Sequence, residues 1–131
     1  MVAELPRPVE ELTGLQEGVI TRAQAAGLGV TDGALRARVR AGYWLPLGRG
    51  VYRTYTGEPD RRSVLWAAVL QAGAEAVLSH QSAAEIDRLT STPSSPVHVS
   101  VPWRRRVDRI PGVVVHRSKR VDAATLPRRS A

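Results

Sequence analysis

Val9, Leu12 and Leu15 stand three apart behind Pro8 and ahead of Gly18. That spacing predicts a short helix over 8–17 with proline in its first turn. Val19 and Ile20 read as a brief extended link. Thr21, with Gln24 three residues on, forms a capping box for a second helix that Gly27 stops after barely two turns. Beyond the glycine-bearing turn Leu28-Gly29-Val30, Thr31 caps a third helix through Ala34, Leu35, Val39 and Ala41, ended by Gly42. Two short helices joined by such a turn are the helix-turn-helix arrangement. Tyr43 to Leu47, Gly48-Arg49-Gly50 and Val51 to Tyr55 then read as strand, glycine turn and strand. This is a wing directly behind the helix pair, and Pro46 argues that its strand is an edge.

Asp60 caps the next apolar stretch, Val64 to Ala72. Its Val64, Leu65, Trp66, Val69 and Leu70 cover nearly the whole circumference, so this helix is expected to be buried. Ser79 or Ser82 starts another, with Ser82 and Glu85 as a capping box and Ala83, Ile86 and Leu89 as its apolar side. Thr90 to Pro96 is a Ser/Thr/Pro loop. Val97 to Val101 alternates as a half-buried strand should, Pro102–Gly112 is strongly basic, and Val113 to Arg117 returns as a second strand. The expected class is α+β: a winged helix-turn-helix followed by helices and a small β-hairpin. The expected units are a winged helix-turn-helix domain over 1–57, a helical segment plus hairpin over 58–120, and a flexible tail over 121–131.

Composition narrows the function. With 43% hydrophobic residues the chain can build a core, and no apolar run nears the ~20 residues of a membrane span. The start, Met1 to Pro8, lacks a basic segment followed by an apolar one, so a cytoplasmic protein is expected. The absence of cysteine excludes disulfides and thiolate zinc sites together. The net charge of +7 is unevenly placed. Residues 21–53 carry six arginines against Asp32, and residues 95–131 carry nine basic and two acidic groups, whereas the blocks between and before them are net acidic. Two basic blocks point to a polyanionic partner.

Arg36, Arg38 and Arg40 lie on the helix that Thr31 opens. At ~100° per residue, Arg36 and Arg40 sit about 40° apart, Leu35 and Val39 face the core, and Arg38 takes the opposite flank of the apolar stripe. Set into a major groove, such arginines match the paired acceptors of guanine or clamp phosphates. Thr31 and the first helical amides suit a phosphate. Arg49 at the wing tip and Arg53 on its return strand would reach the flanking backbone or minor groove. A solvated basic face is the plainer alternative, but the arginines coincide with the motif, which favours double-stranded DNA. Arg104, Arg105 and Arg106, with Arg109, make a second basic site beside Trp103, equally suited to a solvated loop or a nucleic-acid contact. An RNA-binding or ribosome-associated module centred there is the alternative reading. If Val101 pairs with Val113, His98 and His116 fall opposite each other on one face. Two imidazoles without a carboxylate or thiolate make a poor site, so no metal is expected. His80 near Ser82 and Glu85 matches a hydrolase only by residue type. Phosphate-binding glycine loops, paired catalytic carboxylates and zinc signatures are missing, so neither an enzyme nor a cofactor is expected.

Five blocks in fixed order carry a resemblance. They are Gly18-Val19-Ile20-Thr21-Arg22-Ala23-Gln24-Ala25-Ala26-Gly27-Leu28; Gly42-Tyr43-Trp44 with Arg49-Gly50-Val51-Tyr52-Arg53; Leu78-Ser79-His80-Gln81-Ser82-Ala83-Ala84; Val97-His98-Val99-Ser100-Val101-Pro102; and Pro111-Gly112-Val113-Val114-Val115-His116-Arg117. Together they resemble the AbiEi antitoxins of type IV toxin–antitoxin systems, especially the actinobacterial type. The resemblance implies a winged-helix N-terminal domain that represses its own operon. It also implies a C-terminal region that counters a nucleotidyltransferase-like toxin, a functional pairing without a stable complex.

Overall fold

Thr21, Thr31 and Asp60 each turn an extended backbone into a helix by accepting a hydrogen bond from the amide three residues ahead. In the computed structural model, which describes residues 4–79 and 96–119, these caps open three of the four described helices. In chain order the elements are α1 (Arg7–Leu15), β1 (Val19–Thr21), α2 (Arg22–Gly27), α3 (Asp32–Arg40), β2 (Leu45–Gly48), β3 (Val51–Arg53), α4 (Arg61–Ala72), β4 (Val77–Leu78), β5 (Val97–Pro102) and β6 (Val113–Ser118). At α2 the capping box is complete, with the Gln24 side chain accepting from the Thr21 amide at 3.0 Å.

The first sheet has the order β1-β3-β2, all antiparallel. The expected link at Val19-Ile20 is therefore a strand, and Pro46 sits on the edge strand β2, where its missing N–H breaks no ladder. Three helices followed by this ribbon form a winged helix. Its core gathers Val9 of α1, Ile20, Ala25, Val30, Leu35 and Trp44, each no more than 5% exposed.

Helix α4 buries two faces. Leu65, Ala68, Val69 and Ala72 pack with Leu78, Val97, Val99 and Val101 of the second sheet, whereas Trp66 and Ala67 join Val19 and Val51 of the first. A helix that is apolar nearly all round meets this demand. Its start is also tied to the turn before β1: Tyr55 Oη donates to Ser63 Oγ at 2.6 Å, and Ser63 Oγ donates to the Glu17 carbonyl at 2.9 Å. Gly18 lies in this turn at φ +80°, and a Cβ there would fall 2.7 Å from Cδ1 of Tyr55. Gly18→Ala is expected to cost about 1–3 kcal/mol, from the left-handed backbone and the displaced ring, read as a lower denaturant midpoint at unchanged slope.

The second sheet corrects the expected hairpin. Its order is β4-β5-β6; β4 pairs antiparallel with β5, but β5 and β6 run parallel, Val97 beside Val113 through Pro102 beside Ser118. Apolar alternation reports a half-buried strand and says nothing about its direction. The chain between β5 and β6 is long enough to cross back, and its Val107 and Ile110 pack into the core with α4. β4 was not foreseen: Ser79, read as a possible helix start, instead donates its amide to the His98 carbonyl at 2.9 Å, continuing the β4–β5 ladder. The expected helix from Ser82, the loop from Thr90 and the tail from Val121 lie outside the described residues, as does His80.

A candidate nucleic-acid interface

The helix-turn-helix is fixed by its caps and by one ion pair. Arg22 and Asp32 are the first residues of α2 and α3, and the Arg22 guanidinium donates from Nε (3.0 Å) and Nη2 (2.6 Å) to the two Asp32 oxygens. Such a bidentate pair fixes angle as well as distance, so it pins the entry of α3 against that of α2. The Arg22 amide also donates to the Gly50 carbonyl in the wing turn at 2.9 Å. Arg22 thus ties both helices to the wing. The hydrogen bonds from Arg22, then its charge, hold the Asp32 carboxyl below the usual carboxylate range and raise Arg22 in turn.

The folded value of Asp32 is the lower one. Whatever the pair adds to stability is therefore complete above the ordinary aspartate range, ~4, and is lost as pH falls through the lowered value. Both side chains are more than half exposed, so that contribution is small. Arg22→Ala is expected to return the Asp32 carboxyl to its ordinary range, seen as an upward shift of its midpoint in an NMR titration. An unmoved midpoint would mean that the pair does not persist in solution.

On α3 the exposed arginines are Arg36 and Arg40. Arg36 Nε makes only a long bond, 3.4 Å, to the Asp32 carbonyl. Arg38 is half-buried, its guanidinium 5.8 Å from the centre of the Trp44 ring. Thr31 is exposed, and its hydroxyl accepts from the Ala34 amide at 3.1 Å. Arg49 is exposed in the turn between β2 and β3. It lines one surface depression with Arg22, Asp32 and Gln71, so the start of α3 and the wing tip share one side of the molecule. Arg53 is not brought there. It lies at the other end of β3, half-buried, its guanidinium 6.0 Å from the centre of the Tyr55 ring.

The second basic site divides. Arg104 turns to Glu75 at 3.1 Å and borders a separate depression with Trp103 and Lys119. Trp103 is 58% exposed, with Arg117 5.4 Å from its ring centre. Arg105, Arg106 and Arg109 face instead a cleft of about 500 Å³, whose other wall is Leu47, Gly48 and Arg49 of the wing. Sequence reasoning missed Arg22 and left Arg109 at the margin. Opposite charges on the first residues of two adjacent caps, ten apart, were the available signal for Arg22. Nothing in the sequence placed Arg109 near the wing.

His98 Nδ1 lies 3.1 Å from His116 Nε2, with the rings stacked. The histidines do share one face, but diagonally, His98 beside Val114 and His116 beside Ser100, because the strands are parallel. Among the described residues no group of three or more His, Cys, Asp or Glu side chains is placed to hold a metal. No described helix is long and apolar enough to cross a membrane.

Residues 7–55, the span from α1 through the end of the wing, match the profile of a family described as "Transcriptional regulator, AbiEi antitoxin". This segment is similar to that family. Its match ends where the winged helix ends, so the family's description attaches to the part of the chain that carries α2, α3 and the wing. It is a family of transcriptional regulators that act in toxin–antitoxin systems. Among curated proteins, none matches the chain.

Proposed function

We propose that this protein is a sequence-specific regulator that binds double-stranded DNA and represses a toxin–antitoxin operon, its own, in the cytoplasm. In this reading α3 enters the major groove, Arg36 and Arg40 read bases or clamp phosphates, Thr31 meets the backbone at the start of the helix, and Arg49 holds the flanking strand. Arg38 and Arg53, both packed on aromatic rings, support the surface from behind. The observation that carries the reading is the coincidence of the AbiEi match with a winged helix whose exposed arginines stand on α3 and at the wing tip. Its partner in function is a nucleotidyltransferase-like toxin, opposed without a stable complex.

Selection of bound sequences from a random duplex pool at physiological salt tests this. One enriched motif is expected. If about six phosphates are neutralised, affinity for it falls on the order of 10³-fold between 50 and 200 mM salt. Uniform recovery of the pool, or structured RNA displacing the selected duplex at equal concentration, would overturn the assignment.

A further inference from the structure

The cleft between the wing and the β5–β6 connection brings together residues of the two basic blocks of the sequence, Arg49 and Arg105 standing more than fifty residues apart. Four arginines face it: Arg49 from the wing tip and Arg105, Arg106 and Arg109 from the connection, against Asp108 as the acidic member. Its floor is apolar, with Val107 and the buried Ile110. Arg105 is the anchor. Its guanidinium packs on Gly73, at φ +122° just past α4, bonds the Ala72 carbonyl at 3.4 Å and lies 3.9 Å from Glu75. A side chain on Gly73 would take the space of that guanidinium, so the glycine fixes where the connection crosses. Arg106 and Arg109 are left exposed, with no ion pair among the described residues. Arg49 and Gln71 line this cleft and also the depression that holds Arg22 and Asp32 at the start of α3. The two hollows therefore adjoin at the wing tip, one towards the helix-turn-helix and the other towards the connection.

We infer that this cleft is a second phosphate station for the same duplex, gripping the DNA backbone beyond the wing. The inference rests on the proposed duplex binding and extends it to residues outside the AbiEi match. The chemistry fits: arginines on a rim pair with phosphate oxygens and carry no base information, so the cleft lengthens the footprint without altering the sequence read. A wing with a two-residue turn reaches little backbone alone, and the connection supplies further length.

The test compares the selected motif as a minimal duplex with the same motif lengthened by about one helical turn, ~10 bp, on either side. For the wild type, log affinity against log salt is expected to be steeper on the longer duplex. Arg106→Ala with Arg109→Ala is expected to lower that slope by about 2, one for each arginine–phosphate pair removed. Arg106→Lys with Arg109→Lys should restore it, since the charge is kept, and Arg7→Ala, on α1 away from the cleft lining, should leave it alone. Equal slopes for the wild type and the double alanine variant overturn the inference. So does a free-phosphate result: inorganic pyrophosphate at constant ionic strength raising the melting temperature of the wild type but not of the variant, with the long-duplex slope unmoved. If no motif is enriched but the slopes on random duplexes still differ, the regulator reading fails and the phosphate station stands.

Discussion

Trp44→Ala is expected to lower the free energy of unfolding by about 3–5 kcal/mol, as deletion of a large buried aromatic does. Trp44 is 1% exposed and belongs to the core cluster of Val9, Ile20, Ala25, Val30 and Leu35, which draws on α1, β1, α2, the helix-turn-helix turn and α3. Its ring lies 6.4 Å from that of Tyr52 on β3, and the Arg38 guanidinium covers it. The other buried members of the cluster are aliphatic side chains held on separate elements, so the space is expected to refill only in part. Trp44→Phe keeps most of the volume and should cost clearly less. Chemical denaturation measures both, and a loss under about 1 kcal/mol for the alanine variant would mean that the helices close over the hole.

Arg36→Ala and Arg40→Ala are each expected to weaken binding to the selected duplex by about 1–3 kcal/mol, that is from about fivefold to about 150-fold. Both side chains are exposed and neither enters the core, so melting should scarcely move. Two outcomes separate their roles. An arginine that reads guanine leaves affinity for other sequences nearly unchanged and relaxes preference at one position. An arginine that holds phosphate weakens every duplex alike and reduces the salt slope by about 1. Fluorescence anisotropy on the selected and a scrambled duplex distinguishes them. Full affinity and preference in both variants would take α3 out of the groove.

The N-terminal half was legible because its signals are local. Thr21 with Gln24, Thr31 before α3, Asp60 before α4 and Pro46 on an edge act within a few residues, and the structure uses each where the sequence puts it. The second sheet was harder because strand direction is set by where the connection packs. Val107 and Ile110 look like isolated apolar residues in a basic loop until α4 is there to receive them. The short strand β4 carries no alternation of its own and exists through its pairing with β5. The parallel register still puts His98 and His116 on one face, because both registers shift by an even number of residues. On the binding surface, helical periodicity separated Arg36 and Arg40 from Arg38. What it did not supply is the meeting of Arg49 with Arg105, Arg106 and Arg109, a tertiary fact that depends on the crossing of a long connection.

Helix α4 is a party wall, with Trp66 and Ala67 serving the first sheet and Leu65, Ala68 and Val69 the second. A chimera that moves only residues 7–55 into a foreign protein would carry the winged helix away from half its foundation, with Val19 and Val51 facing water. To transplant the winged helix intact, the graft has to continue through Ala72.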